Sequence, residues 1–122
     1  MNNPKVLILG ASDNPERYSH RAMVLFQHHG YQIALVGNKN MEVEGLPIHQ
    51  SFPLGFSPEI ITLYVGPANQ KQWYNSILNS GARKVIFNPG TENKEFQRLL
   101  DVQRIEWEEA CTLVLLNTNQ FS

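Results

Sequence analysis

Five short runs of apolar, β-favouring residues punctuate the chain, and stretches of helical spacing separate most of them. Val6–Leu9 contains no polar residue, the mark of a strand buried on both faces. Ile33–Val36, Ile60–Val65 and Val85–Phe87 have similar character, and Ile105–Trp107 is a shorter fifth run. Between the first two, Ala22, Leu25 and Phe26 fall at i, i+3 and i+4, which predicts a helix over Ser19–His29 closed by Gly30. A second helix is predicted over Ala68–Ser80, where Trp73, Tyr74, Ile77 and Leu78 recur at i and i+4 ahead of Gly81. Phe96, Leu99 and Leu100 give the inward face of a third over Glu92–Asp101, and Cys111–Leu116 reads as a last helix. The stretch Gly37–Ser57 holds Gly45, Pro47 and Pro53 and reads as loop, with one short edge strand near Ile48.

Strands that alternate with helices imply βαβ units joined by right-handed crossovers. The expected fold class is therefore α/β: a doubly wound parallel sheet between two helical layers, with about five strands in the order 3-2-1-4-5. In that order the winding direction changes between the first and fourth strands, and a crevice opens at their carboxyl ends. Gly10–Arg17 and Asn88–Glu92 would border it, and both are rich in turn-forming and short polar residues. The 122 residues show no linker, repeat or low-complexity tract, so residues 1–122 are read as one domain.

Composition narrows the partners. Ten basic side chains against eleven acidic ones leave a net charge of −1, with no bulk attraction to nucleic acid or anionic membranes. No apolar segment approaches the roughly 20 residues that span a bilayer, and none resembles a signal sequence. The single cysteine, Cys111, allows no intrachain disulfide and suits a reducing compartment, so a cytoplasmic protein is expected.

The candidate chemistry lies at the expected crevice. Gly10 allows a tight turn after the first strand, in a setting where backbone N–H groups can face a phosphate. Ala11 and Ser12 are small enough for a ligand to approach, Ser12 carries a hydroxyl donor, and Arg17 offers a charge-assisted contact. Across the crevice, Pro89-Gly90 suits a type II turn feeding a predicted helix start at Thr91-Glu92, whose N–H groups would face the ligand. The second strand runs into Gly37-Asn38-Lys39, where an NAD site would carry an acidic residue for the ribose hydroxyls. Lysine there serves a ribose phosphate instead, which favours CoA or NADP. Each turn alone is also an ordinary βα connection, and Lys39 alone an ordinary loop lysine.

Other reactive residues offer less. His20, His28, His29 and His49 show no metal-ligand spacing, and His28 and His29 point about 100° apart on a helix, as surface residues do. His20 is near the first loop. Cys111 sits where a helix is predicted to begin, a place that stabilises a thiolate, although a buried structural cysteine is the commoner case. The Trp73/Tyr74 pair reads as core plus a half-exposed ring suited to a homodimer contact.

The segments "GASDNPERYS", Lys39, "GARKVIFNPGTEN" and "CTLVLL" together resemble the small stand-alone CoA-binding proteins. Their Rossmann domain is similar to the N-terminal domain of the succinyl-CoA synthetase α-subunit. The resemblance covers nearly the whole chain in order. It implies CoA or an acyl-CoA held by Gly10, Ala11, Ser12, Asn14 and Arg17, with adenosine around Asn38 and Lys39 and the Pro89, Gly90, Thr91 turn opposite. This chain departs from many members in carrying Gly37-Asn38 before Lys39, and "VGPAN" where arginines are common. A pantetheine arm leaving the crevice along the strand ends would come toward Cys111. The related ligases use a phosphorylated histidine from a further domain, so non-enzymatic binding of a small nucleotide ligand is expected. The alternatives are an NADP-binding oxidoreductase or redox sensor, and a small enzyme acting on CoA thioesters through Cys111, Asp13 or Glu92.

Overall fold

The computed structural model describes residues 3–121. At its centre lies β1 (Val6–Leu9), every residue buried, paired in parallel with β2 (Ile33–Val36) on one side and β5 (Ile60–Leu63) on the other. Beyond β5 follow β6 (Lys84–Phe87) and β7 (Glu106–Glu109), both parallel. Beyond β2, β4 (Leu46–His49) runs parallel and β3 (Met41–Val43) antiparallel. The order is β3-β4-β2-β1-β5-β6-β7, seven strands rather than five.

The class is as the pattern predicts, but the strand order needs correction. The Ile60 strand, expected outside β2, pairs with β1 instead. Its expected place is taken by a hairpin in the loop-rich stretch, whose second strand, β4, is the short strand expected near Ile48 and whose first, β3, lies in the part that reads as loop. Glu44 and Gly45, at φ 49° and 78°, make the two-residue turn, and β4 then adds to the free edge of β2. With that edge filled, the winding reverses between β1 and β5, and the ligand crevice moves with it.

Side chains alternate across the sheet. Leu7, Leu9, Val36, Ile61, Leu63 and Phe87 face one way, under α2 (Pro67–Gln70), α3 (Tyr74–Leu78) and α4 (Lys94–Val102). Val6, Ile8, Leu35, Ile60 and Ile86 face the other, under α1 (Tyr18–His28) and α5 (Thr112–Asn117). This makes three layers.

The predicted second helix is broken. A 3₁₀ turn over Lys71–Trp73 separates α2 from α3. With three residues per turn, Gln70 and Trp73 come onto one side, and both are buried. Trp73 and Tyr74 are only 9% and 8% exposed, so the half-exposed ring expected for a homodimer contact is packed inside the chain itself. Tyr74 stacks on Phe96 with ring centroids 4.3 Å apart, and Phe52 stacks on Trp73. The third helix begins later than expected: Asn93 caps α4 by accepting a 3.1 Å bond from Phe96 N–H, so Thr91 and Glu92 precede the helix.

Candidate functional site

A cavity of about 850 Å³ opens at the carboxyl ends of β1, β2, β5 and β6. Its size falls within the ~300–1,000 Å³ usual for small-molecule sites. Of the residues singled out above, Gly10, Ala11, Ser12, Arg17, Asn38, Lys39, Pro89, Gly90 and Thr91 line it. Asn14, His20 and Cys111 are not among the lining residues.

The first loop is tied to the sheet more tightly than its sequence suggests. The N–H groups of Gly10 and Ala11 both donate to the Val36 carbonyl, at 2.8 and 3.0 Å, and Tyr64 N–H donates to the Leu9 carbonyl at 2.8 Å. These first amides are therefore spent on neighbouring strands and do not face a ligand. Gly10 has φ +96°, and a Cβ there would lie 2.9 Å from the Tyr64 carbonyl group. Glycine is needed because the exits of β1 and β5 touch, not because a ligand must approach this residue.

The amides left open lie further along. Among the described residues the N–H groups of Ser12, Asp13, Tyr18 and Ser19 have no acceptor. Tyr18 and Ser19 form the first turn of α1, which has no side-chain cap and no acidic residue. An uncapped helix N-terminus with its positive partial charge is a ready anion seat, and Arg17, the N-cap residue, lines the same cavity. Ser12 Oγ accepts from Asn14 N–H at 3.0 Å, and Asn14 Oδ1 accepts from Glu16 N–H at 3.0 Å. Asn14 thus shapes the loop from within, while the Ser12 hydroxyl keeps its proton to donate.

At the exit of β2, Gly37 lies against the first loop, and Asn38 accepts a 2.9 Å bond from the Gln50 side chain through its carbonyl. Lys39 follows, exposed on the rim. Across the cavity, Asn88–Thr91 forms the turn that Pro-Gly predicts: Gly90 has φ +92° and Thr91 N–H donates to the Asn88 carbonyl at 3.0 Å. The amide of Gly90 is taken by Glu92 Oε1 at 2.9 Å, so this wall does not present the helix-start donors expected of Thr91-Glu92.

Behind these loops lies a set of buried amides that sequence reasoning missed. Asn88 donates to Thr62 Oγ1 and the Leu63 carbonyl and accepts from Thr112 N–H, all within 2.8 Å. Gln70 donates to the Val65 and Thr91 carbonyls at 2.8 and 2.7 Å. Gln70, Trp73 and Ile77 are spaced i, i+3, i+7, so an amide on an otherwise apolar stripe was the available signal. Tyr64 was also missed. Its phenol oxygen is buried without a hydrogen bond, and burial pushes its pKa up to about 12, opposed in part by the nearby Thr112 hydroxyl. Cys111, the partly exposed N-cap of α5, lies near that phenol and makes no side-chain cap bond.

The chain belongs to the CoA binding domain family, which it matches over residues 4–117. A solved structure of an uncharacterized protein is 41% identical, with a TM-score of 0.92 over 97% of this chain and 98% of its own. A hypothetical protein from Pyrococcus horikoshii OT3 is 26% identical, with a TM-score of 0.86 over 98% of this chain and 84% of its own. A conserved hypothetical protein from Pyrococcus furiosus is 27% identical, with a TM-score of 0.80 over 92% of this chain and 98% of its own. No curated protein matches the chain. Among the described residues no helix is long and apolar enough to cross a membrane.

Proposed function

We propose that the chain binds CoA, or an acyl-CoA, in the cavity at the β1/β5 switch point and performs no chemistry on it. One observation carries the reading. In a chain of the CoA binding domain family, Ser12, Asp13, Tyr18 and Ser19, whose N–H groups have no acceptor among the described residues, line one cavity together with Arg17 and Lys39. That donor set suits the pyrophosphate, and Lys39, across the cavity from the Pro89-Gly90 turn, suits the ribose phosphate at the adenosine end. Tyr64, held protonated at neutral pH, is not a base for a reaction in the cavity.

The test combines native mass spectrometry of gently purified protein with melting curves. Ligand at a hundred times its dissociation constant stabilises the fold by about 2.7 kcal/mol, a shift on the order of 10 °C for a domain of this size. CoA is expected to give that shift, NAD much less, and acetyl-CoA is expected to be recovered intact after incubation. Equal shifts with NAD and CoA, or no shift with CoA, would overturn the reading. A larger shift with NADP than with CoA would replace it with the dinucleotide alternative, and acetyl-CoA hydrolysis would replace binding with catalysis.

A further inference from the structure

The two long walls of the cavity are built differently. The Gly10–Arg17 loop is shaped by short-range turns on the exposed surface, where Asn14 bonds to Ser12, Glu16 and Arg17. The opposite wall, formed by the exits of β5 and β6, is held from behind by two buried side-chain amides, Asn88 at the strand ends and Gln70 further along the loops. Gln70 Nε2 sends one proton to the Val65 carbonyl and the other to the Thr91 carbonyl, bridging two cavity-lining segments 26 residues apart. Among the described residues no backbone hydrogen bond joins those two segments directly, because β5 ends at Leu63 and β6 at Phe87.

The orientation of this amide is set by a second one. Asn93 Nδ2 donates to Gln70 Oε1 at 2.9 Å and to the Tyr74 hydroxyl at 2.8 Å, and Tyr74 in turn donates to Glu95 Oε1 at 3.0 Å. Because Gln70 Oε1 is occupied by a donor, its Nε2 must face the two carbonyls. Without Asn93 Nδ2, a half-turn of the amide would set an oxygen against two oxygens and force the walls apart. A buried polar network with every member satisfied is rigid and specifies one arrangement.

We propose that Gln70 is a positioning residue for the bound ligand, fixing the separation of the Val65 and Thr91 segments while Asn93 fixes the orientation of Gln70. The proposal rests on CoA binding in this cavity. It gives the chain one preset wall against which the Gly10–Arg17 loop closes, and sites misplaced by about 1 Å lose much of their function. Gln70 itself is not a lining residue and contributes through the two lining segments it joins.

The test uses CoA titrations by calorimetry on the full chain, with melting curves alongside. Asn93→Asp keeps the cap on α4, since aspartate and asparagine cap helices about equally well. It removes the donor to Gln70 Oε1 and draws Gln70 Nε2 away from the two carbonyls. We expect a folded protein whose melting temperature falls by at most about 10 °C, and a dissociation constant for CoA about tenfold higher when measured well below that temperature. Gln70→Glu keeps the shape and turns the donor into an acceptor, and is expected to lose at least as much affinity in its folded fraction. A side chain that served only stability would lower the melting temperature and leave the affinity of the folded protein unchanged. Wild-type affinity in folded Asn93→Asp overturns the proposal, whatever Gln70→Glu does. Failure of both variants to fold also overturns it, by making the network purely structural. A wild type that binds no CoA at all overturns the CoA reading instead, and the positioning role with it.

Discussion

Gly37 lies directly beneath the Ala11 carbonyl, and a Cβ built on it would stand 2.7 Å from that oxygen. The backbone angles of Gly37 are ordinary, so the demand for glycine is one of contact rather than conformation. The N–H of the same residue, in the preceding peptide group, donates to the Val36 carbonyl, so the turn cannot move away without disturbing the link between the exits of β1 and β2.

Gly37→Ala is therefore expected to push the first loop outward by a few tenths of an ångström. Overpacking against backbone costs about 1–3 kcal/mol, a loss on the order of 10 °C in melting temperature at the upper end. CoA affinity is expected to fall as well, because the displaced loop carries the open amides of Ser12 and Asp13. Calorimetric melting and titration of the variant check both, and a wild-type melting temperature would show that the loop yields freely.

Asn88 carries a larger share of the fold. It is 2% exposed and joins β5 to the start of α5 through three bonds. Asn88→Ala would leave the Leu63 carbonyl and Thr112 N–H buried without partners and open a small cavity. At about 1–3 kcal/mol for each unsatisfied group, the expected loss is about 4 kcal/mol. Urea unfolding measures it, and a loss below about 1 kcal/mol would mean that water reaches the cluster.

How much of this was legible beforehand depended on whether the deciding interactions were local. The buried runs that begin at Val6, Ile33, Ile60 and Val85 are strands because each is short, mostly apolar and bounded by turn residues, all of which can be read in place. The order of those strands was not legible. It turns on β4 reaching the free edge of β2, a long-range pairing by a four-residue strand containing Pro47. The cavity was nevertheless found, because every parallel strand delivers its following loop to the same end of the sheet. Which amides stay open there was hidden, since Gly10 and Ala11 lose theirs to Val36 only once β2 is in position. Gln70 was passed over because an amide on an apolar stripe looks like an ordinary surface residue until the segments it bridges are known, and Asn88 reads only as the start of a bordering loop because its three partners lie on β5 and α5.

Under the proposed CoA reading, Lys39 is expected to discriminate between the phosphates of the ligand. It lies on the exposed rim at the exit of β2, away from the open amides of the first loop. Lys39→Ala is expected to weaken CoA about tenfold at low salt, from the lower end of what charge-assisted hydrogen bonds contribute, because the site is open to solvent. Binding of 3′-dephospho-CoA should change little, and the difference should shrink as salt rises. Parallel titrations of the two ligands measure this. An equal loss with both would move the adenosine end away from β2.

Tyr64 makes a prediction at high pH. Its phenol is buried without a hydrogen bond and its pKa is raised from the usual 10 to about 12, chiefly by desolvation. The unfolded chain releases this proton near pH 10 and the folded chain only near pH 12, so between those values the folded state binds more protons. Stability is then unaffected below pH 10 and falls as pH rises toward 12, by a total on the order of 2–3 kcal/mol. Tyr74, whose pKa is also raised by desolvation, adds in the same direction. Tyr64→Phe removes a buried hydroxyl that has no partner, so at pH 7 it should be as stable as wild type or slightly more stable. At alkaline pH the variant should lose stability less steeply than wild type while keeping the part due to Tyr74. Urea unfolding of both proteins at intervals from pH 8 to 11 measures the two slopes. Identical slopes would show that the Tyr64 phenol gains water or a hydrogen-bond partner in solution, with the Thr112 and Thr62 hydroxyls the candidates.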